Sequence, residues 1–185
     1  MDFIRNIKVH MPTKRQSLMS STSWQAYAKD FRMSPNPATP LDFLLGEIRK
    51  SLSAHLYYAA LTVALTIPEI CGALESETGW GGSDKYRAWY ENNVQTAYAN
   101  LTPKDCYSLR CSILHQGKLG RPGMEYSRVI FTVPNPQNNY YHNNIINDAL
   151  NLDIITFCND FVHAAEEWYR VKASDPFVVQ TCQTS

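Results

Sequence analysis

From Leu41 onward, apolar residues recur at intervals of three and four: Leu41, Leu44, Leu45, Ile48 and Leu52. That repeat predicts an amphipathic helix. After a break near Ser51 to Ser53, the run from Leu56 to Ile67 is apolar nearly all round and is expected to be a core helix at the centre of a bundle. Gly79, Gly81 and Gly82 read as a flexible loop, after which Ser83 caps a segment with Tyr86, Trp89, Tyr90, Val94 and Ala97 on one face. Val129, Phe131 and Val133 alternate, so a short strand is expected to end before Pro134, followed by a polar loop over 135–144. The last strong amphipathic pattern, from Leu152 to Tyr169, carries Ile155, Phe157, Cys158, Phe161, Val162, Ala165 and Trp168. The pattern as a whole predicts a mostly α fold, a helical bundle with a small β insertion near 128–133. Residues 1–40, without sustained periodicity and containing the SPNPATP stretch, read as an arm or linker; 41–171 form the helical domain and 172–185 a tail.

The best specified helix is Thr102 to Gly117, reading TPKDCYSLRCSILHQG. Thr102 suits an N-cap, Pro103 the first helical position, and Asp105 the place of a capping-box carboxylate. Gly117 offers a left-handed exit. Cys106, Leu109 and Ile113 fall on the face expected to be buried, while Arg110, Ser112, His115 and Gln116 bring polar chemistry to the other side.

Composition narrows the picture. A chain of 185 residues, 44% hydrophobic and 12% aromatic, suits one globular domain that buries about 70% of its unfolded surface. The formal net charge is zero, so no global basic field points to nucleic acid, although a neutral total leaves room for a local patch. Five cysteines without close pairing, mostly within apolar patterns, read as buried thiols in a reducing, cytoplasmic setting. No secretory signal is expected, and the run from Leu56 to Ile67 is too short to span a bilayer.

Arginine presents a planar, permanently charged fork to phosphate oxygens. Histidine, titrating near neutrality, can take a proton from a ribose 2′-hydroxyl or give one to a leaving oxygen. Arg110 and His115 therefore form a candidate phosphodiester site that needs neither metal nor cofactor. Five helical residues turn through about 500°, which leaves the two Cα positions about 140° apart around the axis. The arginine must reach across, the helix must loosen, or a second subunit must complete the site.

The LRCSILHQG stretch in a helical domain resembles the arginine, four to six residues, histidine motif of the HEPN superfamily of helical-bundle nucleases. The likeness spans about 41–171. It implies a homodimer in which both motifs line one cleft, and metal-independent RNA cleavage by attack of the 2′-hydroxyl. Arg110 would stabilise the phosphate and His115 would act as acid or base. Apart from the resemblance, Ser112 and Gln116 are further substrate-contact candidates, and the GKLGRPG turn offers Lys118 and Arg121 to RNA phosphates although it reads first as a solvated turn; Glu69 would be a supporting carboxylate, or equally a helix cap. Such proteins often serve as toxins or defence effectors restrained by an inhibitory partner protein, with no membrane involved. The residue after the arginine is Cys111, where many active members carry a small polar residue, often asparagine.

Two other stretches fit the spacing, Arg5 to His10 and Arg49 to His55. The first lacks a surrounding apolar face, and His55 of the second leads straight into the run expected to be most buried. Other readings stay open. Arg110 can simply pair with a carboxylate while His115 satisfies a helix end. A non-catalytic domain of the same ancestry, acting in dimerisation or interaction, fits the same pattern. Tyr57, Tyr58, Tyr86, Trp89, Tyr90, Tyr98 and Tyr107 can be imagined as a base-stacking platform, but their spacing reads first as core.

Overall fold

The protein is described from a computed structural model that covers residues 39–116, 128–133, 141–175 and 178. Among them are six α-helices: α1 (Pro40–Ser53), α2 (Tyr57–Ala64), α3 (Ile67–Leu74), α4 (Ser83–Asn93), α5 (Pro103–Gln116) and α6 (Ile154–Lys172). A 3-10 turn, Gln95–Ala97, follows α4. Three short strands, β1 (Arg128–Thr132), β2 (Asn144–Ile146) and β3 (Ala149–Asp153), form one sheet. The mostly helical expectation holds at this level.

Local chemistry explains where the helices start and stop. Thr39 and Asp42 cap α1 reciprocally: the Asp42 N–H donates to Thr39 Oγ1 at 3.2 Å and the Thr39 N–H to Asp42 Oδ2 at 2.7 Å. The face predicted for this helix is the buried one, with Leu41, Leu45, Ile48 and Leu52 inside. Pro68 lacks an N–H, and its ring would collide with the Ala64 carbonyl in a continuous helix. The apolar run accordingly breaks at Leu65 and Thr66 into α2 and α3.

This break corrects the expectation of one fully central helix. Ala60, Leu61, Ala64 and Leu65 are buried, but Leu56 and Tyr58 are 59% and 52% exposed. His55 is a second correction. It is exposed, with φ 59°, in the left-handed turn between α1 and α2, and its Nδ1 lies 2.8 Å from the Tyr57 hydroxyl. Taken through its break, Tyr57–Leu74 is long and apolar enough to cross a membrane by length and composition, yet 44% of it is buried inside the fold.

The core gathers around α6, which packs against α1, α2, α3, α4 and β3. Phe157 is its aromatic centre, with ring centroids 4.6 Å from Phe161, 5.2 Å from Phe131 and 5.4 Å from Tyr98. Asp153 starts the helix by accepting the Thr156 N–H at 2.8 Å.

The strand expected over 128–133 is β1, and the sheet is larger than expected. β3 pairs in parallel with β1, Arg128 opposite Ala149 and Thr132 opposite Asp153, and antiparallel with β2. Asn147 and Asp148, at φ 48° and 55°, form the two-residue link between β2 and β3, the backbone that tight hairpins favour. All five residues of β3 are buried.

Candidate functional site

The centre of α5 is built by packing on its inner face. Cys106, Leu109 and Ile113 are buried as predicted, and α5 rests on α4 and α2. At its start the Asp105 N–H donates to Thr102 Oγ1 at 3.1 Å, and the Thr102 hydroxyl donates to Asp105 Oδ2 at 2.8 Å. Nearby, the Tyr90 hydroxyl donates to the Leu101 carbonyl at 2.9 Å. The Tyr86 hydroxyl lies 3.3 Å from Cys106 Sγ. Burial pushes the Cys106 thiol up to about 12 and the Tyr86 phenol well above its usual value. Cys71, Cys106, Cys111 and Cys158 are buried and unbridged.

Arg110 leaves this packed face. Its Nη2 donates to Glu69 Oε2, which ties α5 to α3. The two side chains are 17% and 29% exposed, so the pair sits at the edge of the fold. Arg110 Nε is buried without a hydrogen-bond partner, and Nη1 lies 4.0 Å from Cys111 Sγ. The carboxylate and the arginine expected to cooperate are in contact, which also realises the plain ion-pair alternative. Tyr107, one turn before Cys111, stacks edge-on against Tyr86 at 5.2 Å. Burial, with a hydrogen bond donated by the Tyr107 hydroxyl to the Cys111 sulfur, raises the Tyr107 phenol against the opposing pull of Arg110.

Glu69 is also covered from outside. A Cβ added at Gly81 would lie 2.6 Å from Glu69 Cγ and 3.1 Å from the Glu69 carbonyl, so only glycine lets the loop before α4 approach this closely. That loop was expected to be merely flexible. It is instead pinned: the Lys85 ammonium donates to the Trp80 carbonyl at 2.9 Å and to Ser76 Oγ.

The remaining candidates separate. Ser112, expected on the polar face, is wholly buried and its hydroxyl donates to the Ser108 carbonyl at 2.9 Å, so it is not presented to a substrate. Its position four residues after Ser108 lets it satisfy its own helix. His115 and Gln116 occupy the last turn of α5, with side chains outside the described residues, and Lys118 and Arg121 also lie outside them. Of the competing motif pairs, Arg5 and His10 fall outside as well, and Arg49 is taken by Glu166 at 2.7 Å.

Of the aromatic set, Tyr86, Trp89, Tyr90 and Tyr98 are core. Tyr58 is not. The sequence reading missed Trp80, which is 66% exposed, and Tyr107 as a neighbour of the arginine. The cue for Trp80 was its place among three glycines.

Among the described residues, no group of three or more His, Cys, Asp or Glu side chains is arranged to hold a metal. A cleft of about 330 Å³ lies elsewhere, between α3, α4 and α6, lined by Glu75, Lys85, Trp89, Trp168 and Lys172. Its Glu75 is already engaged by Trp168 Nε1 at 3.1 Å and Lys172 Nζ at 2.9 Å. No family model, curated protein or solved structure matches the chain.

Proposed function

We propose that the protein is a metal-independent endoribonuclease of HEPN type, with Arg110 binding the scissile phosphate and His115 transferring the proton. The reading is supported chiefly by one arrangement: a mostly buried guanidinium held at the edge of the fold by Glu69, on the helix whose last turn carries His115. Nη2 is occupied by the carboxylate, which orients the fork, and a phosphate oxygen would compete with Cys111 Sγ, 4.0 Å away, for Nη1. In the reaction, the 2′-oxygen bonds to phosphorus as its proton passes to a base, and the bond from phosphorus to the 5′-oxygen breaks as that oxygen is protonated. The 140° between the two positions on α5 is accommodated by a homodimer in which each copy completes the other's cleft. A role as a toxin or defence effector, held by an inhibitory partner protein, belongs to the same reading.

The test is cleavage of mixed RNA in EDTA by wild type, Arg110→Ala and His115→Ala. The expected result is cleavage by wild type and a loss of about 10²- to 10⁴-fold in each variant, the usual range for a positioned acid or base. Equal rates in all three would remove both residues from the mechanism. A second reading, a non-catalytic interaction module, is favoured by the compensation of the Arg110 charge by Glu69 and by Cys111 beside it. Absence of cleavage by a folded, dimeric wild type would select it.

A further inference from the structure

Arg110 is only half matched by its partner. Its Nη2 donates to Glu69 Oε2, but its Nε, on the same side of the guanidinium, is buried with no hydrogen-bond partner. Nε and Nη2 together make the side-on fork that grips two oxygens of one carboxylate or phosphate. Glu69 fills a single prong. A buried donor left unmade is costly, so folded proteins rarely keep one without a cause.

The cause lies in what holds the carboxylate. A Cβ at Gly81 would stand 2.6 Å from Glu69 Cγ, 3.1 Å from the Glu69 carbonyl and 3.4 Å from Oε1, so the second carboxylate oxygen faces the loop while Nε goes without. The loop turns at its ends on two glycines with positive φ, Gly79 at 68° and Gly82 at 127°. A Cβ at either would meet nothing within 4 Å, so the backbone angle and not crowding calls for glycine there. Between them, the Trp80 carbonyl accepts from Lys85 Nζ at 2.9 Å and the Trp80 N–H donates to Thr78 Oγ1 at 3.4 Å. Both bonds are exposed, so water can replace them when the loop lifts.

We propose that the loop 79–82 and Glu69 form an autoinhibitory latch on Arg110. In the closed state Oε2 occupies the fork that a phosphodiester needs, and Gly81, seated on Glu69, keeps the carboxylate in place. Rotation at Gly79 and Gly82 lifts Gly81, Glu69 swings away, and Nε and Nη2 pass to the two non-bridging oxygens of the phosphate. The latch rests on the nuclease reading above and adds its regulation: affinity for RNA is set by the fraction of molecules whose loop is open. Glu69 acts through Arg110 and touches no substrate.

The test compares full-length wild type with Glu69→Gln, Gly81→Ala and Glu77→Gln. Affinity for a short fluorescein-labelled 2′-O-methyl RNA, which lacks the nucleophilic hydroxyl, is read by anisotropy beside cleavage of the unmodified strand in EDTA. Glu69→Gln keeps the shape and removes the charge that holds the fork. Gly81→Ala drives a methyl group against Glu69 Cγ, at a position that does not itself need a positive φ. Both should bind about 5- to 50-fold more tightly than wild type, the gain expected if about 2–20% of wild-type molecules are open. Both should also cleave faster at limiting RNA. Adding Arg110→Ala to Glu69→Gln should abolish the gain. Glu77→Gln removes an exposed charge from the segment leading into the loop and should bind as wild type does.

Unchanged or weaker binding by Glu69→Gln, beside an active wild type, would overturn the latch while the nuclease reading stands. Equal tightening by Glu77→Gln would reduce the effect to net charge and overturn it as well. A gain in Glu69→Gln that a folded Gly81→Ala does not share would take the loop out of the mechanism, and the latch with it. The isosteric Glu69→Gln decides the matter if Gly81→Ala does not fold. If neither wild type nor any variant binds or cleaves RNA, both readings fall.

Discussion

The first turn of α5 and its middle solve the same problem differently. At the start, Thr102 and Asp105 satisfy one another three residues apart. In the middle, Arg110 finds its partner in Glu69, 41 positions earlier in the chain, and its Nε finds none. The first arrangement is local and closes on itself, as helix caps do. The second depends on α3 being brought alongside and leaves part of the guanidinium unsatisfied. Polar groups that close locally form with the helix itself, whereas those matched across the fold form only when distant segments meet.

The sharpest way to break this comparison is Arg110→Ala. Activity on RNA should fall by about 10²-fold or more, while stability falls by only about 1–2 kcal/mol, because the ion pair is part-exposed and water screens it. Chemical denaturation beside the cleavage assay checks both. A loss of stability as large as a core truncation, about 3–5 kcal/mol, would place Arg110 in the scaffold.

The inner face of α5 should reveal itself in alkali. Burial raises the Cys106 thiol from 9.0 to about 12, so the folded protein keeps a proton that the unfolded chain releases. This contribution is fully present below pH 9 and is lost as the pH rises toward 12, at up to about 1.4 kcal/mol per pH unit for one thiol. Urea midpoints should be level near pH 8 and fall from about pH 9 to 11, and Cys106→Ala should make that fall shallower. An unchanged slope in the variant would mean that the thiol titrates alike in both states.

Thr102→Ala is expected to cost about 1 kcal/mol, the usual worth of such a cap, with RNA cleavage per folded molecule unchanged. A large loss of activity from this change would erase the distinction between the two ends of the helix. The smallest effect is expected from Glu167→Gln, which breaks the exposed Arg170 pair. Its thermal midpoint should match that of wild type.

Much of the helical scaffold was legible because its signals are short in range. The spacing of Leu41, Leu45, Ile48 and Leu52, the cap at Thr102 and the apolar face around Phe157 and Phe161 each act within a few residues, whereas the equally local cap of Thr39 and Asp42 went unread inside the expected arm. β2 and β3 were not legible. β3 is buried along its whole length, so it shows no inside-outside alternation, and its parallel partner lies beyond a long connection.

The site was legible as residue types and not as contacts. Arg110 and Glu69 were both candidates, but their pairing required α3 and α5 to be brought together. Ser112 looked polar and proved internal because its hydroxyl bonds back within its own helix.

What the sequence alone determined is the set of local commitments: which segments coil, where Pro68 interrupts them, which faces are apolar, and that an arginine and a histidine share α5. The tertiary structure decided which polar groups meet. It set Glu69 against Arg110, left His55 and Tyr58 in water, and held Trp80 outward over a glycine packed on Glu69. The physical reason is one of range. Helix propensity and capping are energies of neighbours in the chain, whereas an ion pair or a loop laid on a carboxylate forms only after distant segments have paid the entropy of coming together.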